Sequence, residues 1–307
     1  MFAAILIPII LSLHGRRTRS LSTSGAATAL VVGFLMIAGD LKAWGVALIA
    51  MYLVGSRATK FKKERKAKLE SGYSDYGNRS GWQVLSNSFS ALVACFVWNV
   101  LFQPNGIHAN IASKLSLDAY LPRPTVSYNG EWCPASADGG NTTSRALLFA
   151  ALGHFACCLG DTLASELGIV SSSTPRLIFS WKPVPPGTNG AISLGGTLSS
   201  LIGGLIMGLV LTICLVAENN ACRIVWRTIG PELLLWGAFG GVVGSGIDSI
   251  LGATIQLTRY DEERKLVVED HAQGKRFRVV SGLDLLTNNQ VNVVASTITA
   301  VIVAVLA

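Results

Sequence analysis

Apolar residues along this chain come in long unbroken runs. They do not show the strict alternation of a half-buried strand or the one-sided stripe of a soluble helix. Spanning the hydrocarbon of a bilayer takes about 20 such residues per helix. Eight stretches approach that measure: 1–13, 24–39, 42–56, 84–103, 146–164, 192–217, 230–256 and 289–307. They predict an all-α polytopic membrane bundle of about eight spans, forming one integral membrane domain over 1–307. The first stretch is short and interrupted by Pro8. No basic stretch precedes it and no small-residue cleavage site follows, so it reads as a short or tilted helix rather than a removable leader. Only Asp40-Leu41-Lys42 separate the second and third stretches, which predicts a tight helical hairpin. Within the 257–288 loop the pattern changes, and charged and apolar residues alternate from 261 to 281 around Gly274. That predicts a small β-hairpin outside the membrane.

Composition narrows the class. Half of the 307 residues are apolar, 14% are charged, and the mean hydropathy is +0.47. Soluble globular chains carry about 25% charged residues, so disorder, collagen-like repeats and a soluble fold are excluded together. A net charge of +7 would point to nucleic acid in a soluble protein; here it points to orientation, and no nucleic-acid partner is expected. Nineteen of the 25 basic residues follow the odd-numbered stretches, including the run Lys62-Lys63-Glu64-Arg65-Lys66-Ala67-Lys68. The asymmetry predicts that those loops face the cytosol and that the 104–145 loop is lumenal. The basic run itself reads as a solvated stretch touching anionic headgroups. Asn141-Thr142-Thr143 is a glycosylation sequon on the expected lumenal side, and Asn78-Arg79-Ser80 is one on the basic side, expected to stay unmodified. Cys95, Cys133, Cys157, Cys158, Cys214 and Cys222 form no CxxC pair, so neither a disulfide framework nor a zinc knuckle is indicated. His14, His108, His154 and His271 form no cluster.

Polar groups concentrate near the expected cytosolic ends of the spans. An acid at the centre of a membrane helix costs about 2.5–3.5 kcal/mol on insertion scales and signals function by default. Asp161 and Asp248 lie inside apolar runs and are read as functional, against the alternative of a structural bond between helices. Glu166 lies near the membrane edge; five residues from Asp161, it points away from the face that Asp161 shares with Ser165. Glu232 follows Pro231 in the expected first turn of span seven, where it complements the helix N-terminus. The loop Pro185-Pro186-Gly187-Thr188-Asn189-Gly190 precedes a helix and can offer bare amides to phosphate oxygens, although alone it is an ordinary turn. Ser56, Arg57, Lys60, Asn78, Arg79, Asn87, Ser165, Arg176 and Lys182 complete the candidate set. Phosphoryl transfer needs magnesium held by carboxylates and cations on the transferring phosphate, and this set supplies both. Gly204/Gly208 and Gly237/Gly241 have small-xxx-small spacing and predict helix packing.

At Gly55–Lys60, Gly160–Gly168, Pro175–Gly190 and Asp248–Ala253 the chain closely resembles the transmembrane protein 19 family, which includes chloroplast phytyl-phosphate kinases. The pattern Asp161-x-x-Ala164-Ser165-Glu166, followed by Lys182 and Gly187-Thr188, is also similar to that of CTP-dependent dolichol and phytol kinases. The resemblance implies a kinase that converts an isoprenyl monophosphate to its diphosphate with CTP or a similar nucleotide. It implies that Asp161 and Glu166, with Asp248 as a further carboxylate, serve Mg2+ and the CTP phosphates. Lys182, Gly187 and Thr188 would hold the transferring phosphate, while Asn189 and Gly190 complete the loop. Two other classes stay open: a CDP-lipid-forming cytidylyltransferase, and a non-enzymatic isoprenoid or lipid-phosphate transporter. The sequon and the lack of a transit peptide point to the endoplasmic reticulum.

Overall fold

All eight apolar stretches are helical, but they do not amount to eight spans. The computed structural model describes residues 2–66, 69, 77–121, 126–137, 141–268 and 277–307. Ala67, Lys68, His271 and Gly274, read above, lie outside the described residues. In chain order the helices are α1 (Phe2–Arg17), α2 (Thr23–Ile37), α3 (Ala43–Lys60), α4 (Lys63–Lys66), α5 (Gly81–Ser86) and α6 (Phe89–Phe102). They continue as α7 (Ile107–Lys114), α8 (Thr142–Gly168), α9 (Leu194–Glu218), α10 (Asn220–Ile224), α11 (Trp226–Ile255) and α12 (Asn288–Leu306). Four of them, α8, α9, α11 and α12, are long and apolar enough to cross a membrane, or five if α6 and α7, bent by 94°, form one broken span. The expectation of eight is therefore too high. At 1.5 Å per residue the 15 and 16 residues of α2 and α1 reach about 22–24 Å, short of a hydrocarbon core of about 30 Å. The 18-residue α3 ends on Arg57 and Lys60. The predicted hairpin between α2 and α3 is present, with Lys42 Nζ donating to the carbonyls of Ile37 and Gly39 at its turn.

The centre of the bundle is α8, α9 and α11, and glycines set their spacing. A Cβ on Gly160 of α8 would stand 2.9 Å from Gly241 of α11, and one on Gly203 of α9 would stand 2.8 Å from Gly160. Gly204 and Gly208 of α9 press on the backbone of α11 at Gly237 and Leu233. The small-xxx-small reading thus holds, and the close approach lets side chains from three helices meet. Around them α12 lies against α8 and α11, and α3 and α6 against α8.

At the end where α8 begins, the bundle is closed. Trp98 Nε1 donates to Ser144 Oγ (2.7 Å), and Trp98, Phe102, Tyr128 and Trp132 stack edge to face or tilted. Cys133 and Cys222 form a disulfide that ties the 104–145 segment to α10, a pairing that their separation of 89 residues gave no reason to expect. Cys95, Cys157 and Cys158 are free thiols buried in the core. Arg145 donates to both carboxylate oxygens of Glu232, to the carbonyl of Ala135 and to the main-chain oxygen of Ala307 (2.8 Å). Glu232 therefore does not serve a helix N-terminus: α11 starts at Trp226, carries Pro231 inside it, and presents Glu232 to Arg145. Asn141 of the sequon caps α8 by accepting from the Ser144 amide (3.1 Å).

Two small antiparallel sheets sit at the other end. In one, β1 (Arg176–Leu177) pairs with β2 (Ala191–Ile192) and closes the Pro/Gly loop into a ribbon. The other has three strands, β3 (Thr258–Asp261), β4 (Leu266–Val268) and β5 (Phe277–Ser281), in the order β4-β3-β5. The predicted hairpin is therefore misassigned: β4 and β5 do not pair with each other, and each pairs with β3. The sheet buttresses the loop, since the Asn189 amide donates to Thr258 Oγ1 (3.1 Å) and Ser281 Oγ donates to the Asn189 carbonyl (3.2 Å).

Candidate functional site

Where α8 ends, the bundle opens into a polar cavity of about 690 Å³. Three helix ends bring acids and amides to it. Asp161 comes from α8, where Ser245 Oγ donates to it from α11 (3.5 Å). Asp248, one turn beyond Ser245, lines the same wall. Asn292 of α12, with its amide turned to satisfy its neighbours, donates to Asp248 Oδ2 (3.1 Å). Asn288 and Ser200 complete this polar side. The opposite side is basic. Arg79, half-buried on the strand-like segment before α5, donates to Ser56 Oγ (2.7 Å) and lies 5.8 Å from the Tyr52 ring. Burial lowers the Arg79 guanidinium from its ordinary range, and the nearby Tyr52 and Glu166 raise it; an arginine so placed stays a cation.

The Pro/Gly loop forms a third wall through Gly187, Thr188, Asn189 and Gly190. It is built more firmly than a ring of bare amides. The amides of Thr188, Asn189 and Ala191 already donate to Pro185 O, Thr258 Oγ1 and Thr188 O. Thr188 is buried, and its hydroxyl donates to Pro185 O (2.7 Å). Gly190 has a φ of +75°, and a Cβ there would lie 2.3 Å from the Ala253 amide nitrogen, so only glycine fits against α11. The loop then hands over to α9, whose N-cap Ser193 accepts from the Gly196 amide (3.1 Å) beside the cavity.

Of the residues singled out from the sequence, Arg79, Asp161, Ser165, Glu166, Asp248 and the four loop residues line this cavity. Ser56 reaches it through Arg79, and Asn87 lines a neighbouring apolar cavity. Arg57, Lys60, Asn78, Arg176 and Lys182 are exposed and lie outside its wall, with Arg176 donating to the Trp181 carbonyl (2.8 Å). Glu166 and Asp161 both line the cavity. The structure corrects one reading of this end. The basic run is not uniformly solvated: Lys66 is 1% exposed and donates to Glu166 Oε2 (2.6 Å) and to the carbonyls of Ala58 and Thr59. Nothing distinguishes Lys66 from its basic neighbours in the sequence. Asn288 and Asn292 had a signal that went unused, since amides crowd the first turns of an otherwise apolar helix.

Among the described residues, no group of three or more His, Cys, Asp or Glu side chains is gathered for a metal. The two acids in one wall, Asp161 and Asp248, nevertheless match the habit of magnesium, which takes one or two carboxylates and completes its shell with water and substrate phosphate. His154 is fully buried 3.7 Å from Cys158 and lines neither cavity.

The family model of integral membrane protein DUF92 matches residues 6–300. Protein PGR of Arabidopsis thaliana is 31% identical over 306 residues, covering 98% of this chain and 94% of that protein. An uncharacterized membrane protein of Methanocaldococcus jannaschii is 24% identical over 260 residues, 83% of each chain. Protein VTE6, chloroplastic, also of Arabidopsis thaliana, is 26% identical over 190 residues, covering 62% of this chain and 46% of that protein. No solved structure matches.

Proposed function

This chain belongs to the integral membrane protein DUF92 family, and we propose that it is a CTP-dependent kinase that phosphorylates an isoprenyl monophosphate to the diphosphate. The observation that carries the reading is the open cavity whose wall holds Asp161, Asp248, Arg79 and a glycine-rich loop. Acids that a bilayer penalises are kept where three helices converge, in a cavity that also holds Arg79 and the N-terminus of α9. The family resemblance at Gly160–Gly168 and Pro175–Gly190 supplies the substrate class, and the two stretches form two walls of this cavity.

In the proposed reaction an oxygen of the lipid monophosphate attacks the γ-phosphorus of CTP. The bond from that phosphorus to the β–γ bridging oxygen breaks, and CDP leaves with the electron pair. The acceptor is already anionic near pH 7, so positioning and charge neutralisation do most of the work and no general base is required. Asp161 and Asp248 would hold Mg2+, which screens the phosphate charges when bound. Arg79 places the acceptor phosphate, and the Gly187–Gly190 loop shapes the nucleotide side. Lys66 holds Glu166, so we assign that pair to positioning the end of α8. Arg176, Lys182, Arg57 and Lys60 form a basic rim that draws anions toward the opening. We place the open end in the cytosol and the protein in the endoplasmic reticulum, readings supported by the basic loops at this end and the disulfide at the other.

A carrier is less well supported. Half-helix sites of transporters lie at breaks within spans, whereas the one broken pair among the described residues, α6–α7, is at the closed end, away from both acids. The test is to incubate the purified protein with Mg2+, CTP and a panel of prenyl monophosphates. Release of CDP with a prenyl diphosphate is expected. Pyrophosphate with a CDP-lipid would identify a cytidylyltransferase, and no nucleotide turnover with any acceptor would rule out both enzymes.

A further inference from the structure

The ribbon that closes the Pro/Gly loop carries two exposed aromatic rings on one tight turn. From β1 the chain turns at Ile178-Phe179-Ser180-Trp181 and comes back at Lys182, whose carbonyl accepts from the Leu177 amide (3.0 Å). Phe179 and Trp181 are 60% and 62% exposed. Both are large apolar bodies, and the hydrophobic effect opposes leaving two of them in water on one turn. The turn nevertheless holds them out. Trp181 has a φ of +56°, a left-handed conformation that bulky residues rarely adopt. Its own amide donates to the Leu177 carbonyl (2.9 Å), and Arg176 Nη1 donates to its carbonyl (2.8 Å). A strained residue fixed by its neighbours, with its ring exposed, points to a partner outside the chain.

Two observations identify that partner. The first is position. Arg176 pairs with Ile192, two residues before Leu194, where α9 begins. Leu194 (71% exposed), Leu198, Ile202 and Leu209 belong to the exposed apolar stripe of α9, a helix long enough to cross a bilayer. Phe179 is three residues past Arg176, which keeps it within about 11 Å of that strand pair. The second is charge. Arg176 and Lys182 flank the two rings and are exposed, and no acid occurs from residue 167 to residue 217. Tryptophan is enriched at the headgroup level of membranes, and basic side chains there meet anionic lipid.

We propose that the Phe179–Lys182 turn is an interfacial anchor, with both rings seated in the headgroup layer of the leaflet at the open end and Arg176 and Lys182 on its phosphates. The anchor does not depend on which reaction the polar cavity carries out. Ile178, just before Phe179, lines that cavity, so seating the turn holds this wall of the cavity beside the headgroups.

The test uses the full chain in nanodiscs of phosphatidylcholine and phosphatidylserine. Tryptophan emission is recorded for wild type and Trp181→Phe, and the difference isolates Trp181 among the seven tryptophans. That component is expected to be quenched by lipid spin-labelled at the headgroup, and to be shielded about threefold from aqueous acrylamide relative to N-acetyltryptophanamide. Replacing phosphatidylserine with phosphatidylcholine is expected to lower the lipid quenching; equal quenching would overturn the part assigned to Arg176 and Lys182. A Trp181 component open to acrylamide and untouched by the lipid label would overturn the proposal. So would quenching on addition of CTP in place of quenching by lipid, which would give the ring to a nucleotide. Where Trp181→Phe does not fold, wild type decides. A lipid with a photoreactive headgroup is then expected to label residues 177–182, and label on the first turn of α9 but not on those residues would overturn the anchor.

Discussion

At the end where α8 begins, Arg145 is wrapped by Glu232 and two main-chain oxygens, a disulfide fastens the overlying segment, and four aromatic rings fill the space between. At the end where α8 stops, Asp161 and Asp248 place two carboxyl groups in one wall, with a serine and an asparagine as their bonded neighbours, and a wide cavity stands before them. Both ends place ionisable groups in a largely apolar bundle. Arg145 pairs with Glu232 at the first and Lys66 with Glu166 at the second, whereas among the described residues Asp161 and Asp248 have no cation bonded to them. A buried charge with its partner beside it is structure; acids lined up against an open space are poised for something that arrives from outside.

The contrast can be broken in order of expected effect. Arg145→Met should damage stability most, because it leaves Glu232 without its partner. We expect a loss of about 2–4 kcal/mol, just under the usual range for a fully buried pair because Glu232 keeps 30% exposure. Its thermal midpoint should drop well below wild type, while the Michaelis constants of protein that remains folded stay put. A shifted nucleotide KM would show that the two ends are not separate. A comparable effect follows from Cys133→Ser with Cys222→Ser. Opening a crosslink across 89 residues should cost about 2–4 kcal/mol, visible as a midpoint that no longer responds to reductant. Turnover below that midpoint should match wild type; a parallel fall in turnover would mean that the closed end also shapes the site.

The same two ends differ in how far the sequence reveals them. Asp161 and Asp248 stand out because each interrupts an apolar run, and helix packing at Gly204 and Gly237 follows from their spacing. Gly187 and Gly190 are legible as a turn, but not the three-strand sheet that holds Asn189, since β5 returns past β4 to pair with β3. Lys66 is invisible among identical charges, because only the fold decides which lysine of a run reaches Glu166. Glu232 is misread because α11 begins five residues before Pro231, so a helix-start signal lies inside the helix. Cys133 and Cys222 carry no motif at all. The span count fails for simpler reasons: α1 and α2 are too short to cross a bilayer, and the 18 residues of α3 end on Arg57 and Lys60.

The central claim is that the open cavity transfers a phosphoryl group and that Asp161 is indispensable to it. The most direct measurement is a single-turnover assay with γ-labelled CTP, Mg2+ and a prenyl monophosphate on wild type and Asp161→Asn, with thermal midpoints recorded alongside. The account predicts label in the lipid for wild type. For Asp161→Asn it predicts a rate about 10³-fold lower, roughly 4 kcal/mol of transition-state stabilisation, at a midpoint that does not fall because a like-charge neighbour has been removed. Transfer by Asp161→Asn at the wild-type rate would contradict it, as would a wild-type protein that puts α-label rather than γ-label into the lipid.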